Sequence, residues 1–132
     1  MICSKPKWRE RGLAGNGNVM SDSIFSKIIR REIPADIVYE DDDLIGFRDI
    51  HPEAPLHVLF VPKRAKATLN DLAEGDAEYI GRLVVAAAAY AKREGYGEAG
   101  YRVIFNCNGD GGQTVFHIHL HLLAGKRLGR FA

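Results

Sequence analysis

The 132-residue chain contains 46% hydrophobic and 27% charged residues, the composition of one globular domain large enough to form a hydrophobic core. Its formal net charge of +1 argues against a protein that coats a nucleic-acid polymer, and no apolar run reaches the roughly 20 residues that cross a membrane. The two cysteines, Cys3 and Cys107, are too few for a disulfide framework, which favours a reducing compartment, and we expect a cytoplasmic protein.

Residues 1–20 show neither helical nor strand periodicity, contain glycines at 12, 15 and 17, and carry a net positive charge. Glycines make an ordered backbone costly, so we expect a disordered N-terminal extension. The segment also lacks the apolar stretch of a secretory signal. The family resemblance described below begins just after Met20. We therefore expect Met20 to be the physiological start and residues 21–132 to form the domain.

The first predicted element is a helix that follows the capping residues 21–23 and ends before Pro34. A strand over 36–40 and a strand over 44–48 come next. The three aspartates between them, residues 41–43, predict a solvated hairpin turn in preference to a metal site. The apolar residues of the helix recur at helical spacing: Ile24, Phe25, Ile28 and Ile29.

A third strand is predicted over 56–62, a long helix over 76–94 and a fourth strand over 101–106. Acidic residues open the long helix, basic residues close it, and Gly95 ends it, in the sense that the helix dipole favours. Its predicted buried face consists of Ile80, Leu83, Val84, Ala87, Ala88 and Ala91.

The segment 112–123 is predicted to be a single strand, because histidines and apolar residues alternate along it. His117, His119 and His121 would then form a row on one face. Such a row suits two kinds of chemistry. Two neighbouring imidazoles could share a zinc ion, although three would strain the strand, and no accompanying zinc motif is present. Alternatively, one imidazole could attack a phosphate while its neighbours donate hydrogen bonds to the phosphate oxygens.

Three runs of this sequence resemble the histidine triad family of nucleotide hydrolases and transferases: residues 23–35, 47–58 and 111–123. The last run contains the family's alternation of histidine and apolar residues, preceded by Gly-Gly-Gln-Thr-Val. The resemblance extends from about Ser21 to Gly125 and is greatest to the Hint-type branch of small nucleoside phosphoramidases. It implies an α+β fold with two helices and a five-stranded, mostly antiparallel sheet. It also implies a homodimer with one ten-stranded sheet.

The resemblance implies hydrolysis of purine nucleoside 5′-phosphoramidates to AMP without a metal or other cofactor. His119 would attack the α-phosphorus and form a nucleotidyl-histidine that water then hydrolyses. His57, His121, Gln113 and Thr114 would hold the phosphate oxygens, with Thr114 helping the amine to leave. His117 would tune the neighbouring imidazoles.

The resemblance also implies a nucleotide-binding surface. Its expected members are Phe25, Ile28, Phe47, Asp49, Ile50, Asn106, Gly112, Gln113, Thr114, His119 and His121. Asp49 would accept hydrogen bonds from the two ribose hydroxyls. From the residues alone, an aspartate that caps the turn before His51 and Pro52 is nearly as good an interpretation of this position.

Three other functions fit the same pattern. The histidines could hold zinc in a regulatory binding module, or the domain could be an interaction scaffold with a vestigial nucleotide site. Within the family, a dinucleoside polyphosphate hydrolase or nucleotidyl transferase is the nearest alternative. The Gln113-Thr114 pair before the triad favours the phosphoramidase. The C-terminal Trp-Pro-Pro run of animal relatives is absent here, which leaves the leaving group open.

Overall fold

The structure is a computed structural model that describes residues 23–130. The predicted disordered extension over 1–20, the predicted start at Met20 and two of the capping candidates, Ser21 and Asp22, lie outside the described residues. The third candidate, Ser23, is the N-cap of the first helix, and its side chain accepts a hydrogen bond from the backbone N–H of Ser26.

The domain contains two α-helices and five strands. The helices are α1 (Ile24–Ile29) and α2 (Ala77–Arg93), with two short 3₁₀ turns, Leu69–Asp71 and Glu74–Asp76, before α2. The strands are β1 (Ile37–Glu40), β2 (Leu44–Arg48), β3 (Leu56–Pro62), β4 (Tyr101–Phe105) and β5 (Leu120–Ala124). They form one antiparallel sheet in the order β1-β2-β3-β5-β4, which confirms the predicted α+β fold. No helix within residues 23–130 is long and apolar enough to cross a bilayer.

Alternate residues of the central strand β3 face opposite sides of the sheet, and each side has its own core. Val58 and Phe60 pack in the core beneath α2. Leu59 and Val61 pack in the core beneath α1. His57 shares the parity of Leu59, and His121 lies opposite Leu59 in the β3–β5 register. Both histidines therefore belong to the α1 side of the sheet.

The predicted buried face of α2 is wrong at one edge. Val84 is 41% exposed, whereas Tyr79 and Tyr90, which the prediction omitted, are buried. Tyr90 packs in the core beneath α2, with its ring 6.1 Å from that of Phe60, and the guanidinium of Arg64 lies over the Tyr79 ring, so both rings are covered where Val84 is not. Leu83 and Ala87 lie at the centre of the buried face, as predicted.

The predicted turn between β1 and β2 is confirmed, and the side chain of Asp41 stabilises it. Its Oδ1 accepts hydrogen bonds from the backbone N–H groups of Asp43 and Leu44, at 2.8 and 2.9 Å. Asp43 pairs with Arg82 of α2 at 3.1 Å. Asp41 thus stabilises the hairpin, and Asp43 stabilises its contact with the helix.

The prediction of one strand over 112–123 is wrong, because β5 begins only at Leu120. Leu120 lies opposite Phe60 and opposite Phe105, the last residue of β4, so the sheet offers no β4 partner for the preceding residues. The chain bends there, and the backbone N–H of Ile118 donates to the carbonyl of Lys66 at 2.8 Å. His117 and His119 therefore lie on a bent segment that leads into β5.

Candidate active site

Four of the five histidines meet on the α1 side of the sheet. His57 comes from β3, His121 from β5, and His117 and His119 from the bent segment before β5. Each of the four side chains is at most 3% exposed. The ring centroids of His119 and His121 are 4.9 Å apart, and those of His57 and His121 are 5.2 Å apart. The prediction that His57 lies beside the triad is consistent with this geometry, and the fifth histidine, His51, is exposed in a loop.

The hydrogen bonds of His119 define its tautomer. Its Nδ1 lies 2.8 Å from the carbonyl oxygen of His117, and a carbonyl can only accept a hydrogen bond. Nδ1 of the neutral ring therefore carries the proton, which leaves Nε2 unprotonated. An unprotonated imidazole nitrogen is a competent nucleophile at neutral pH.

His57 and His121 form a chain of hydrogen bonds with one consistent direction. The backbone N–H of Glu53 donates to His57 Nδ1 at 3.0 Å, so the proton of the neutral His57 ring is on Nε2. That N–H donates to His121 Nδ1 at 3.0 Å. The proton of His121 is then on its Nε2, which is buried without a hydrogen-bond partner in the described part of the chain. The site thus offers an unused N–H donor on the ring next to His119.

His117 is fully buried between α1 and the end of β3. Its Nε2 donates to the carbonyl of Pro62 at 3.0 Å, and its Nδ1 lies 3.0 Å from Ser23 Oγ and 3.4 Å from Ser26 Oγ. Both ring nitrogens have protein partners. The side chain of His117 therefore supports the site, and its backbone carbonyl orients His119.

Burial keeps these imidazoles neutral. It lowers the pKa of His117 and that of His119 to about 4, because removal from water disfavours the charged ring. Burial also lowers the pKa of His121 well below its ordinary value, and the neighbouring imidazoles act in the same direction. The pKa of His57 is lowered by burial as well, although Asp49 and Glu53 oppose the shift. At neutral pH, Nε2 of His119 is therefore unprotonated.

Asp49 lies at the end of β2, and its two carboxylate oxygens have different surroundings. Oδ1 accepts the backbone N–H of His51 at 2.8 Å, which is the turn-capping role. Oδ2 is buried 3.5 Å from His57 Nε2 and has no hydrogen-bond partner among residues 23–130. Asp49 therefore caps the turn with one oxygen and keeps the other available for a ligand.

An apolar pocket lies between α1 and the α1 side of the sheet, next to the histidines. Five residues predicted to bind the nucleotide line it: Phe25, Ile28, Phe47, Asp49 and Ile50. The Phe25 ring meets the His119 ring edge-on, with centroids 4.9 Å apart and an angle of 84°. Ile50 is 77% exposed at the pocket, so a bound ligand would cover it. The pocket is mostly apolar, as sites for planar ring systems usually are.

The side chain of Gln113 makes hydrogen bonds to backbone groups. Its Nε2 donates to the carbonyls of Ala67 and Val115 at 2.8 and 3.1 Å, and its Oε1 accepts the N–H of Asn108 at 2.8 Å. The predicted contact of this side chain with phosphate would require one of these bonds to break. In the structure Gln113 holds the glycine-rich loop to the segment before α2.

The other loop residues that were predicted to bind the nucleotide are Asn106, Gly112 and Thr114. Asn106 donates from Nδ2 to the carbonyl of Gly111 at 2.7 Å. Gly112 has a φ of +83°, a conformation that glycine adopts at little cost, and Thr114 is half-buried. The loop is therefore held tightly where the chain turns towards the triad.

Sequence reasoning missed several residues of the site. Ser23 was identified only as a helix cap, and nothing in the local sequence links it to His117, 94 positions away. Leu59 and Val115 also line the pocket, and neither was among the predicted site residues. Strand periodicity places Leu59 on the same face as His57, and this was the available signal.

Comparisons with known proteins identify relatives over most of the chain. The family model described as "HIT domain" matches residues 30–128. The chain is 53% identical over 108 residues to the purine nucleoside phosphoramidase of Escherichia coli K12, covering 82% of this chain and 91% of that protein. It is 47% identical over 111 residues to the 14 kDa zinc-binding protein of Zea mays, covering 82% and 85%. The crystal structure of a HIT family hydrolase from Legionella pneumophila superposes with a TM-score of 0.79 at 47% identity, covering 80% of this chain and 95% of that one. The chain therefore belongs to the HIT domain family.

Proposed function

We propose that this protein is a purine nucleoside phosphoramidase, a hydrolase that cleaves the P–N bond of adenosine 5′-phosphoramidates and releases AMP. The observation that carries the proposal is the tautomer pair formed by His119 and His121. It presents an unprotonated Nε2 beside an unused Nε2–H donor in a buried site. The 53% identity to a phosphoramidase over most of both chains supports the same substrate class.

The proposed reaction has two steps. In the first, His119 Nε2 attacks the α-phosphorus, a P–N bond to the ring forms, and the P–N bond to the leaving amine breaks. The amine departs with the electron pair of that bond and takes up a proton from water, with Thr114 helping it to leave. In the second step, water attacks the phosphorus and gives up a proton to the solvent, the bond from phosphorus to His119 Nε2 breaks, and AMP leaves with His119 regenerated. The His121 Nε2–H stabilises the developing charge on a phosphate oxygen in both steps.

The remaining site residues hold the nucleotide in this proposal. The adenine ring occupies the apolar pocket against Phe25, Ile28 and Phe47, with Ile50 closing over it. Asp49 Oδ2 accepts hydrogen bonds from the ribose hydroxyls, which would satisfy its buried, unpartnered oxygen. Asn106, Gly112, Gln113 and Thr114 form the phosphate end of the site, where Gln113 acts through the loop that it fixes.

The deciding experiment is mass spectrometry of the intact protein after brief mixing with adenosine 5′-phosphoramidate. Wild-type protein should carry a transient adduct of one AMP per subunit, and His119→Ala should carry none. The same assay with a dinucleoside polyphosphate tests the alternative hydrolase or transferase, which would form the adduct faster from that substrate. An absent adduct with no AMP release would exclude the proposed activity and favour a binding role.

Zinc binding is a second candidate function, and a specific cluster favours it. Asp49, His57 and His121 are all buried, and each offers a ligand atom within 4.8 Å of the other two. Two imidazoles and one carboxylate are suitable ligands for zinc. One relative from Zea mays is named a zinc-binding protein. Because the same residues serve the nucleotide in the main proposal, zinc and nucleotide would compete.

The zinc candidate predicts stoichiometric metal in protein purified without added zinc. Asp49→Asn should lose this metal, whereas His119→Ala should retain it, because His119 is not part of the cluster. Protein that contains no zinc and gives the AMP adduct would eliminate the second candidate. The contrast between the two variants also separates this cluster from a site built on the triad itself.

The proposed enzyme is a cytoplasmic homodimer whose two sheets join at β4. This strand is at an edge of the sheet, and α2 packs against it. Large apolar residues are exposed on both elements: Val103 on β4 at 37%, and Val84 and Val85 on α2 at 41% and 67%. An uncovered edge beside exposed valines favours pairing with a second copy. Light scattering should give the mass of a dimer, and Val85→Lys combined with Val103→Lys should give that of a monomer.

A further inference from the structure

The N-cap residue of α1 contacts the histidine triad. Ser23 Oγ accepts the backbone N–H of Ser26 at 3.0 Å, which caps the helix. The same oxygen lies 3.0 Å from Nδ1 of His117. One hydroxyl therefore serves both the short helix beside the pocket and a buried residue of the active site.

The direction of the bond between Ser23 and His117 follows from the other side of the ring. His117 Nε2 faces the carbonyl oxygen of Pro62 at 3.0 Å and must donate to it. The neutral ring has only one proton, so Nδ1 is an acceptor. Two hydroxyls face it, Ser23 Oγ at 3.0 Å and Ser26 Oγ at 3.4 Å, and the shorter distance assigns Ser23 as the donor. Ser26 Oγ, 3.2 Å from Ser23 Oγ, then donates its own proton to the Ser23 oxygen. Ser23 thus holds the His117 ring from one side while Pro62 holds it from the other.

The backbone of His117 controls the nucleophile. Its carbonyl accepts the Nδ1–H of His119 at 2.8 Å, so the position of residue 117 sets the orientation of the His119 ring. Phe25, two residues after Ser23, meets the same ring edge-on and lines the pocket. One turn of α1 therefore contacts His117 through Ser23, and His119 and the ligand pocket through Phe25.

We propose that Ser23 is a positioning residue of this enzyme: through its hydrogen bond to His117 it couples the pocket helix α1 to the orientation of His119. The inference rests on the proposed phosphoramidase function. A small misplacement of a nucleophile can reduce the rate by about 10²-fold, so a bond that fixes its support affects turnover. A helix of six residues has little stability of its own and depends on such contacts.

The two roles of the Ser23 hydroxyl can be separated by three substitutions. Ser23→Ala removes both the cap and the donor. Ser23→Gly removes the donor but retains most of the capping, because glycine is a tolerated N-cap residue. Ser23→Thr retains both. Loss of the cap should loosen α1 and raise KM through the pocket, whereas loss of the donor should lower kcat through His119.

The kinetic result that we expect is a split between these parameters. Ser23→Ala and Ser23→Gly should both lower kcat by about tenfold, roughly the effect of losing one buried hydrogen bond. KM should rise in Ser23→Ala and stay near the wild-type value in Ser23→Gly. Ser23→Thr should retain most of the wild-type turnover. If Ser23→Gly turns over like wild type while Ser23→Ala does not, capping alone explains the residue and the proposal is wrong.

Nitrogen-15 NMR of the histidine rings provides a readout that does not need substrate. In wild type, Nδ1 of His117 should have the chemical shift of an unprotonated, hydrogen-bonded nitrogen. In the alanine and glycine variants it should move towards that of an acceptor without a donor, and the Nδ1–H signal of His119 should shift or broaden. An unchanged spectrum would overturn the proposal. If the variants show these spectral changes but the wild-type protein has no phosphoramidase activity, the proposed function is rejected and the structural coupling stands.

Discussion

The carbonyl oxygen of His117 accepts the Nδ1–H of His119 at 2.8 Å, so one member of the triad orients the next through its backbone. In a regular strand this carbonyl would point towards a neighbouring strand and pair with its backbone. The chain is not extended at this point, since β5 begins at Leu120. The departure from strand geometry therefore makes Nε2 of His119 the unprotonated nitrogen.

Replacement of His119 by alanine removes the proposed nucleophile. We expect turnover of adenosine 5′-phosphoramidate to fall by at least about 10³-fold, the size of effect typical of losing a nucleophile. Because the ring is packed against Phe25, melting temperature should be measured alongside steady-state kinetics. The exposed His51→Ala is the matched control and should keep wild-type activity. Turnover in His119→Ala within a few-fold of wild type would refute the assignment.

The buried histidines predict a specific loss of stability in mild acid. His117 and His119 have a pKa of about 4 in the folded protein, against an ordinary value of 6.5. The unfolded chain therefore binds more protons than the folded one below about pH 6.5. Their stabilising contribution is complete above that pH, is lost as pH falls towards 4, and changes by about 1.4 kcal/mol per pH unit for each histidine.

Urea unfolding at pH 7.5, 6, 5 and 4.5, values chosen at roughly even spacing across this window, measures the loss. The lowered pKa values of carboxylates such as Glu40 and Asp41 contribute mainly below about pH 5, so they do not explain a change between pH 7.5 and 5. His51→Asn, a substitution at an exposed loop histidine, is the control variant. A free energy of unfolding that stays constant from pH 7.5 to 5 would contradict neutral, buried imidazoles.

Asp49→Asn tests ribose recognition. The amide preserves the shape of the side chain, and its oxygen can still accept the N–H of His51. It removes the negative charge from the position of Oδ2, which is proposed to bind the ribose. We expect KM for the ribonucleotide substrate to rise by about 10- to 100-fold, since hydrogen bonds to a charged group contribute about 1.5–3 kcal/mol. The 2′,3′-dideoxy analogue should have a similar KM with both proteins. Asp43→Asn, which weakens only the pair with Arg82, is the control.

Gln113→Glu distinguishes loop support from phosphate contact. A carboxylate cannot donate to the carbonyls of Ala67 and Val115, so two buried acceptors lose their donor and face a negative charge. We expect the free energy of unfolding to fall by about 2–5 kcal/mol, together with a loss of turnover. Asp110→Asn, in the exposed part of the same loop, should change neither quantity. A large loss of turnover with unchanged unfolding would instead indicate direct contact with phosphate.

Periodicity and turn chemistry were sufficient to predict most of the fold. The bounds of β2 and β3 were predicted correctly, because Leu44–Arg48 and Leu56–Pro62 are apolar runs bounded by turn residues. The bounds of α2 differ by one residue at each end, as expected for a helix with charges and Gly95 at its ends. The rotation of α2 could not be predicted, because Tyr79 and Val84 lie at opposite edges of the buried face and only packing decides which edge is covered.

For the site, the sequence by itself determined which side chains are present: the alternating histidines, the aspartate after β2 and the glycine-rich loop. Only the tertiary structure decided what each of them does. The alternation predicts a strand, but β4 ends at Phe105 and leaves the triad segment without a partner, so His117 and His119 bend out of the sheet. Tautomers depend on partners far away in the chain, such as Pro62 for His117, and Glu53 for the His57–His121 pair. Local sequence does not encode such contacts, because they arise only when separate elements pack together.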